Sequence, residues 1–304
     1  MKNKLNYKIA DQSVEIHTDY LGNIDRLLPG FVHFNDSSDD KEPLIQLFRE
    51  FESDESELFS ADDESKVIHT FDLEEDFCKF RKKGGKYYFS ITTRGGDASM
   101  EFAMEIGSPK VSCRLIPDSE NGRVNLPNPF HLKFSLWMVL GFTGIPRKFS
   151  ALHSSVIIYN NSAVLFLGES GTGKSTHTKL WLQHIAGSKL LNDDSPILSV
   201  DGEKASVHGS PWSGKGQKYV NERYPVRAVV RIKQHSSNEL QKLNTLESFG
   251  ALYPSFPPAF LKDNYFEGHI CEIISKVIST TPVYNLHCLP NREAAFLVKE
   301  AFYK

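Results

Sequence analysis

Gly168-Glu169-Ser170-Gly171-Thr172-Gly173-Lys174-Ser175-Thr176 lies between an apolar run, Ala163 to Leu167, and a helical pattern, Thr176 to His184. The spacing of Gly168, Gly173, Lys174 and Ser175 fits the phosphate-binding loop. In such a loop backbone N–H groups surround phosphate oxygens and the first turn of the next helix adds a partial positive charge. A lysine at position 174 reaches β- and γ-phosphates, and the Ser175 hydroxyl is offered to a magnesium ion. A chance turn rich in glycine and serine has no need of a strand before it and a helix after it, whereas the motif demands both. All nine residues are therefore expected to line a nucleotide site, and the expected fold class is α/β.

Downstream, the strand pattern Lys189-Leu190-Leu191 runs into Asn192-Asp193-Asp194. Asp193 and Asp194 stand where a magnesium-side acidic pair belongs, at the end of a strand read as the neighbour of the loop strand. Magnesium takes hard oxygen ligands, so one carboxylate can hold it directly or through water. The other can accept the proton of an attacking hydroxyl. An Asp-rich exit from strand to turn is the structural alternative; the pairing of the acids close behind the loop favours chemistry. Upstream, Ser154 to Tyr159 and Ala163 to Leu167 read as strands joined by Asn160-Asn161, residues that tolerate the positive φ of a tight hairpin. Further strands are expected over Val226 to Ile232 and Val283 to Leu289, and helices over Phe266 to Ser279 and Asn291 to Phe302. Gly209 to Lys218 is a second loop of Gly, Ser and Lys, in which Lys215 or Lys218 could clamp phosphate oxygens, or which could be a surface loop over Trp212. Arg227 and Arg231 share one face of a strand, where an ion pair is favoured over a phosphate clamp.

The preceding part of the chain has a different texture. Ser13 to His17 alternates like a strand and Leu27-Leu28-Pro29-Gly30 reads as a turn. Asp36 to Glu64 is acidic, the composition of a solvated helix-and-loop face. Phe77 to Arg81, Tyr87 to Thr93, Ser99 to Ile106 and Val111 to Ile116, separated by glycine-bearing turns, predict an antiparallel meander. Asn128 and Pro129 look like the cap and first residue of a helix over Phe130 to Gly141. Two domains are expected, an N-terminal α+β module over residues 1–127 and a nucleotide-binding domain over 128–304.

Composition narrows the partners. The 304 residues carry a net charge of -3 with no basic stripe, so nucleic acid is not an expected partner. Cys78, Cys113, Cys271 and Cys288 are far apart and form no CxxC or metal-ligand spacing, which fits reduced thiols of a cytoplasmic protein. Met1 to Asp11 lacks the apolar core of a signal peptide, and no run approaches the ~18 apolar residues of a membrane span. A cytoplasmic location without membrane partners is expected.

Leu152-His153-Ser154-Ser155-Val156, the hairpin, the loop Gly168 to Ser175 and then Asn192-Asp193-Asp194 together resemble the catalytic core of bacterial HPr kinase/phosphorylase. The same core is similar to that of phosphoenolpyruvate carboxykinase. The resemblance spans roughly residues 150 to 196, with a weaker likeness through Thr281 to Leu286 and the last helix. It implies an HPr-kinase-like, carboxykinase-like mixed-sheet P-loop kinase domain, preceded by a smaller α+β module rich in antiparallel strands. It further implies ATP and Mg2+ as cofactors, a protein, peptide or small-molecule hydroxyl as acceptor, and a homo-oligomer, since that family forms rings. By resemblance Asp193 is the catalytic base, His153 supports it, Lys174 stabilises the transferring phosphate, and Ser175 and Asp194 face the metal. Ser154 stands where the family has Gly and Asn192 where it has Ala, and the family's Arg-Gly-rich signature is not found downstream, so the acceptor is left open. Two other readings are a catalytically silent nucleotide sensor and a carboxykinase-like lyase; the second needs a separate metal site with His and Lys ligands, and the sequence offers no convincing set.

Overall fold

The computed structural model describes residues 4–17, 24–37, 42–49, 65–94, 98–115, 128–214 and 218–303. Most of the acidic stretch, together with Lys215, lies outside the described residues. The chain divides into two compact units, Met1–Thr143 and Gly144–Lys304.

The first unit contains β1 (Lys4–Ile9), β2 (Gln12–His17), α1 (Ile24–Leu27), β3 (Ile45–Arg49), β4 (Lys66–Leu73), β5 (Asp76–Lys83), β6 (Lys86–Thr92), β7 (Ala98–Glu105), β8 (Lys110–Leu115) and α2 (Pro129–Gly144). Its strands form one eight-stranded mixed sheet in the order β1-β2-β3-β8-β7-β6-β5-β4. The expected meander is present as β5 to β8, every neighbour antiparallel. Gly84 and Gly85 turn the first of its corners at φ +56° and +113°, values that suit glycine in a two-residue hairpin. The turn expected at Leu27-Gly30 is helical instead, α1 being followed by a 3-10 helix over Pro29–Phe34. Burial of Phe31 and Phe34, with Phe31 edge-on to Tyr7 at 5.4 Å, holds that segment against β1.

Helix α2 begins as its cap predicts, the Phe130 N–H donating to Asn128 Oδ1 at 2.9 Å. Through Thr143 it falls in the first compact unit. The cause is tertiary. Phe134 meets Phe71 and Phe89 of the sheet at 5.9 and 6.0 Å, and His131 Nε2 lies 2.6 Å from Asp76 Oδ2.

The second unit contains β9 (Phe149–Ala151), β10 (Ser154–Tyr159), β11 (Ser162–Leu167), α3 (Lys174–His184), β12 (Lys189–Asp194), β13 (Ile197–Asp201), β14 (Lys204–His208), β15 (Arg223–Gln234), β16 (Glu239–Lys242), α4 (Thr245–Leu252), α5 (Asn264–Thr280), β17 (Val283–Cys288) and α6 (Arg292–Phe302). Its mixed sheet runs β12-β10-β11-β15-β14-β13-β9, with β17 beside β15 and β16 beside β17. Asn160 and Asn161 take φ +46° and +56° between β10 and β11, as a tight hairpin requires. β11 is parallel to β15, and β15 to β17. Ala163 to Leu167 are fully buried, which accounts for an uninterrupted apolar run in a central strand.

The strand order differs from the sequence expectation. β12, which carries the acidic pair, is hydrogen-bonded to β10 and not to the loop strand β11. Periodicity identifies strands but carries no record of which edges meet. On one face of this sheet Phe166, Trp181, Val230, Ala295 and Phe302 share a buried cluster that fastens α3 and α6. Helix α3 is positioned by residues at helical spacing, since Lys174, His177, Thr178 and Trp181 are its buried positions.

Candidate functional site

β11 delivers its last residue, Leu167, directly to the glycine-rich loop. Gly168 has φ +150°, and a Cβ there would lie 2.4 Å from Thr172 Oγ1, so the position excludes a side chain twice over. Gly171 and Gly173 also adopt positive φ, +80° and +107°. Within the loop the Thr172 N–H and hydroxyl both donate to the Glu169 carbonyl, at 3.2 and 2.8 Å. From outside, Gln234 Nε2 donates to the Gly171 carbonyl at 3.2 Å. The ring of His177 backs the loop's helix, packed 4.6 Å from Phe166 and accepting the Trp181 indole N–H at 3.3 Å. Burial pushes its pKa down to about 3, so it is neutral at ordinary pH.

Lys174 is nearly buried and its ammonium is turned inward. Nζ donates to the carbonyls of Gly168 and Glu169 at 2.8 and 3.1 Å and to His153 Nε2 at 2.9 Å. Burial lowers its pKa; the charges of Asp194 and Asp193 oppose that, and Arg231 adds to it. An ammonium can only donate, so His153 Nε2 is the acceptor and a neutral ring carries its proton on Nδ1. Nδ1 faces Asp194 Oδ1 at 3.5 Å. Asp194, His153 and Lys174 thus form one chain of polar contacts at the loop's edge.

The two carboxylates have different surroundings. Asp193 Oδ1 accepts from the Ser175 hydroxyl at 2.9 Å and from the Ser155 hydroxyl at close range. Asp194 is about half exposed, 45% for its side chain, with the Ser195 hydroxyl 3.4 Å away. His153 therefore touches Asp194 and not Asp193, and Ser175 touches Asp193 and not Asp194. Both contacts are crossed relative to the arrangement implied by the resemblance.

Three supporting contacts are not among the sequence expectations. Ser155, on β10 opposite Asp193, is buried and holds the carboxylate. Asn192 is fully buried and ties the acidic strand to the second loop. Its Nδ2 donates to Ser210 Oγ and the Trp212 carbonyl at 3.1 Å each, and its Oδ1 accepts the Ser195 N–H at 3.0 Å. Gly214 donates its N–H to the Asp193 carbonyl at 2.8 Å. No local signal marks these residues, because each works through a partner on another strand or loop.

Ser170, Gly171, Gly173, Lys174, Ser175 and Thr176 of the loop, both carboxylates and His153 line one cavity of about 710 Å³, which Lys218 of the second loop also reaches; Gly168, Glu169 and Thr172 do not line it. Trp212 of that loop is buried, in keeping with the packed-loop alternative. Arg231 sits beside Glu169, Nη2 to Oε1 3.6 Å, and donates to the Ala251 carbonyl at 3.0 Å, while Arg227 donates to the Phe302 carbonyl. One arginine therefore forms the favoured ion pair and the other binds a helix end.

The donor set tests the implied cofactors. Among the described residues no cluster of three or more His, Cys, Asp or Glu could cage a metal by itself. Magnesium seldom uses such a cage; one or two carboxylates plus nucleotide phosphates are its usual ligands. Ser175 Oγ and the Asp193 and Asp194 carboxylates fit that set. The loop, with the positive φ of its glycines and a helix beginning at Lys174, fits a phosphate group.

No model of a known protein family matches this chain, and no curated protein matches it in sequence. Among solved structures, the Hpr(Ser) kinase/phosphatase from Coxiella burnetii is a weak neighbour, with a TM-score of 0.29 and 12% identity over 50% of this chain and 92% of that one. A likeness at that level transfers neither residues nor activity. Among the described residues no helix is long and apolar enough to cross a membrane.

Proposed function

We propose that this chain is a kinase that moves the γ-phosphate of ATP to a hydroxyl of a protein, peptide or small molecule. The observation that carries the reading is the convergence of Lys174, Ser175, Asp193, Asp194 and His153 on one cavity beside the glycine-rich loop. Phosphoryl transfer needs positioning and charge neutralisation more than covalent chemistry, and these groups supply both. Magnesium carried by the nucleotide supplies positive charge at the phosphates when bound. Ser175 and Asp193, already joined through Oγ and Oδ1 at 2.9 Å, would hold that cation. Lys174 leaves its loop carbonyls for phosphate oxygens and neutralises charge developing on the transferred group. Asp194, half exposed and next to the ring N–H of His153, takes the acceptor's proton, and His153 holds the carboxylate in place. This division assigns the base to Asp194 and the cation side to Asp193, the reverse of the roles implied by the resemblance, because the contacts of Ser175 and His153 fall that way.

The two assignments separate in kinetics. Asp194→Asn is expected to lower ATP turnover or acceptor phosphorylation by about 10²-fold or more while sparing Mg·ATP affinity, the size of a general-base contribution. Asp193→Asn is expected to raise the magnesium concentration needed for half-maximal activity. Normal turnover in Asp194→Asn would return the base to Asp193. Tight Mg·ATP binding by the wild type without labelled acceptor, autophosphorylation or turnover would favour a sensor.

A further inference from the structure

A second cavity, of about 390 Å³, opens on the other side of the glycine-rich loop. It shares Gly171, Gly173 and Thr176 with the phosphate cavity, so the two flank the same loop and the first turn of α3. Its far wall is apolar: Leu180 from α3, Ile232 near the end of β15, and Leu289 and Pro290 just beyond β17. Gln234 and His235 form a polar edge. The His235 ring is fixed, since Nδ1 accepts the Ser237 N–H at 3.2 Å and the ring lies against His287 with centroids 5.4 Å apart. With Nδ1 accepting, the neutral ring carries its proton on Nε2 and can donate from it. Leu289 keeps 39% of its surface exposed, a large apolar side chain at the rim.

We infer that this cavity is the base pocket of the nucleotide whose phosphates the loop binds, and that its occupant is a purine ring. The inference rests on the phosphate-loop reading and extends it. From Gly173 to Leu180 the helix rises about 10 Å, seven residues at 1.5 Å each, a span that a ribose and its 5′-phosphate can bridge. The volume lies in the ordinary range for small-molecule sites, and an apolar wall with a few polar groups at one edge matches the faces and edge of a heteroaromatic ring. The opposite end of the phosphate cavity carries Lys179 beside Leu182 and Leu190. That end is left for the acceptor.

The test compares ATP with tripolyphosphate, which has the phosphates and no base, by calorimetric titration in the presence of magnesium. The wild type is expected to bind ATP more tightly. Leu289→Asp, at a partly exposed position, is expected to weaken ATP binding about tenfold or more, the loss of one large apolar contact, and to leave tripolyphosphate binding unchanged. Unchanged tripolyphosphate binding also shows that the variant is folded. Leu246→Asp, at a position on α4 that is 82% exposed and lines neither cavity, is expected to leave both affinities in place. Equal wild-type affinity for ATP and tripolyphosphate, ATP binding unaffected by Leu289→Asp, or ATP binding weakened as much by Leu246→Asp would overturn the base pocket while leaving the phosphate loop standing. Failure of the wild type to bind either compound would overturn the phosphate loop and the base pocket with it.

Discussion

Gly214→Ala is the smallest change that should disturb the acidic pair without altering either carboxylate. Gly214 packs on the end of β12, where its N–H donates to the Asp193 carbonyl at 2.8 Å. A Cβ on Gly214 would lie 2.5 Å from that carbonyl oxygen and 3.5 Å from Asp194 Cβ. Ordinary contact begins at 3.4 Å, so the backbones must part by 3.4 − 2.5 = 0.9 Å. The hydrogen bond then stretches from 2.8 to as much as 3.7 Å and is lost. Overpacking costs about 1–3 kcal/mol and the bond about 1 kcal/mol, together about 2–4 kcal/mol. For a domain of this size each kcal/mol lowers Tm by about 2–4 °C, so a fall of about 4–16 °C is expected. Because Asp193 and Asp194 ride on the displaced strand end, turnover should fall by about 10²-fold, the usual consequence of a misplacement near 1 Å. Thermal unfolding followed by circular dichroism, with ATP turnover on the same sample, measures both. Gly250→Ala is the control: it lies within α4 where a Cβ meets nothing within 4 Å, and it should be neutral or stabilising by up to about 1 kcal/mol. An unchanged Tm and unchanged turnover in Gly214→Ala would refute the packing of the second loop on the acidic strand.

Two further outcomes follow from side chains around the loop. His177 is neutral in the fold, with a pKa of about 3 against 6.5 in the unfolded chain, so the unfolded state binds the extra proton between those values and stability falls as pH drops below about 6.5. His177→Gln keeps an acceptor for Trp181 and should flatten the slope of stability against pH between pH 6.5 and 5, up to about 1.4 kcal/mol per pH unit; chemical denaturation across that range reads it, and an unchanged slope would contradict a buried neutral ring. Ser155→Ala removes one of two hydroxyls on Asp193 Oδ1 and should raise the magnesium requirement in the same direction as Asp193→Asn but by less, about three- to tenfold for one lost hydrogen bond; a magnesium titration of activity with no shift would deny Ser155 its part.

The loop and its flanks were legible because their signals are local. Alternation, Asn160-Asn161 and the glycine spacing each report on a few adjacent residues, and β10, β11 and α3 lie where those patterns put them. Asp193, Asp194 and Lys174 were singled out by motif and His153 by resemblance, and the fold gathers the four on one cavity. What escaped was long-range. The sequence pattern of β12 is the same whether it pairs with β10 or β11, so its position one strand farther out could not be read. Ser155, Asn192 and Gly214 look like any serine, asparagine and glycine until the strand or loop opposite is known. The packing of helix α2 was hidden for the same reason, since Phe134 and His131 declare their partners only through Phe89 and Asp76 of the meander.

Phosphate binding at Gly168 to Thr176 underlies every role proposed for the site, and calorimetric titration of Mg·ATP into the wild type and Lys174→Met measures it. Saturable binding of one ATP per chain is expected, weakened about 10- to 100-fold in the variant, as loss of a charge-assisted contact to phosphate entails. Equal affinities in the two proteins, or no binding by the wild type, would contradict it.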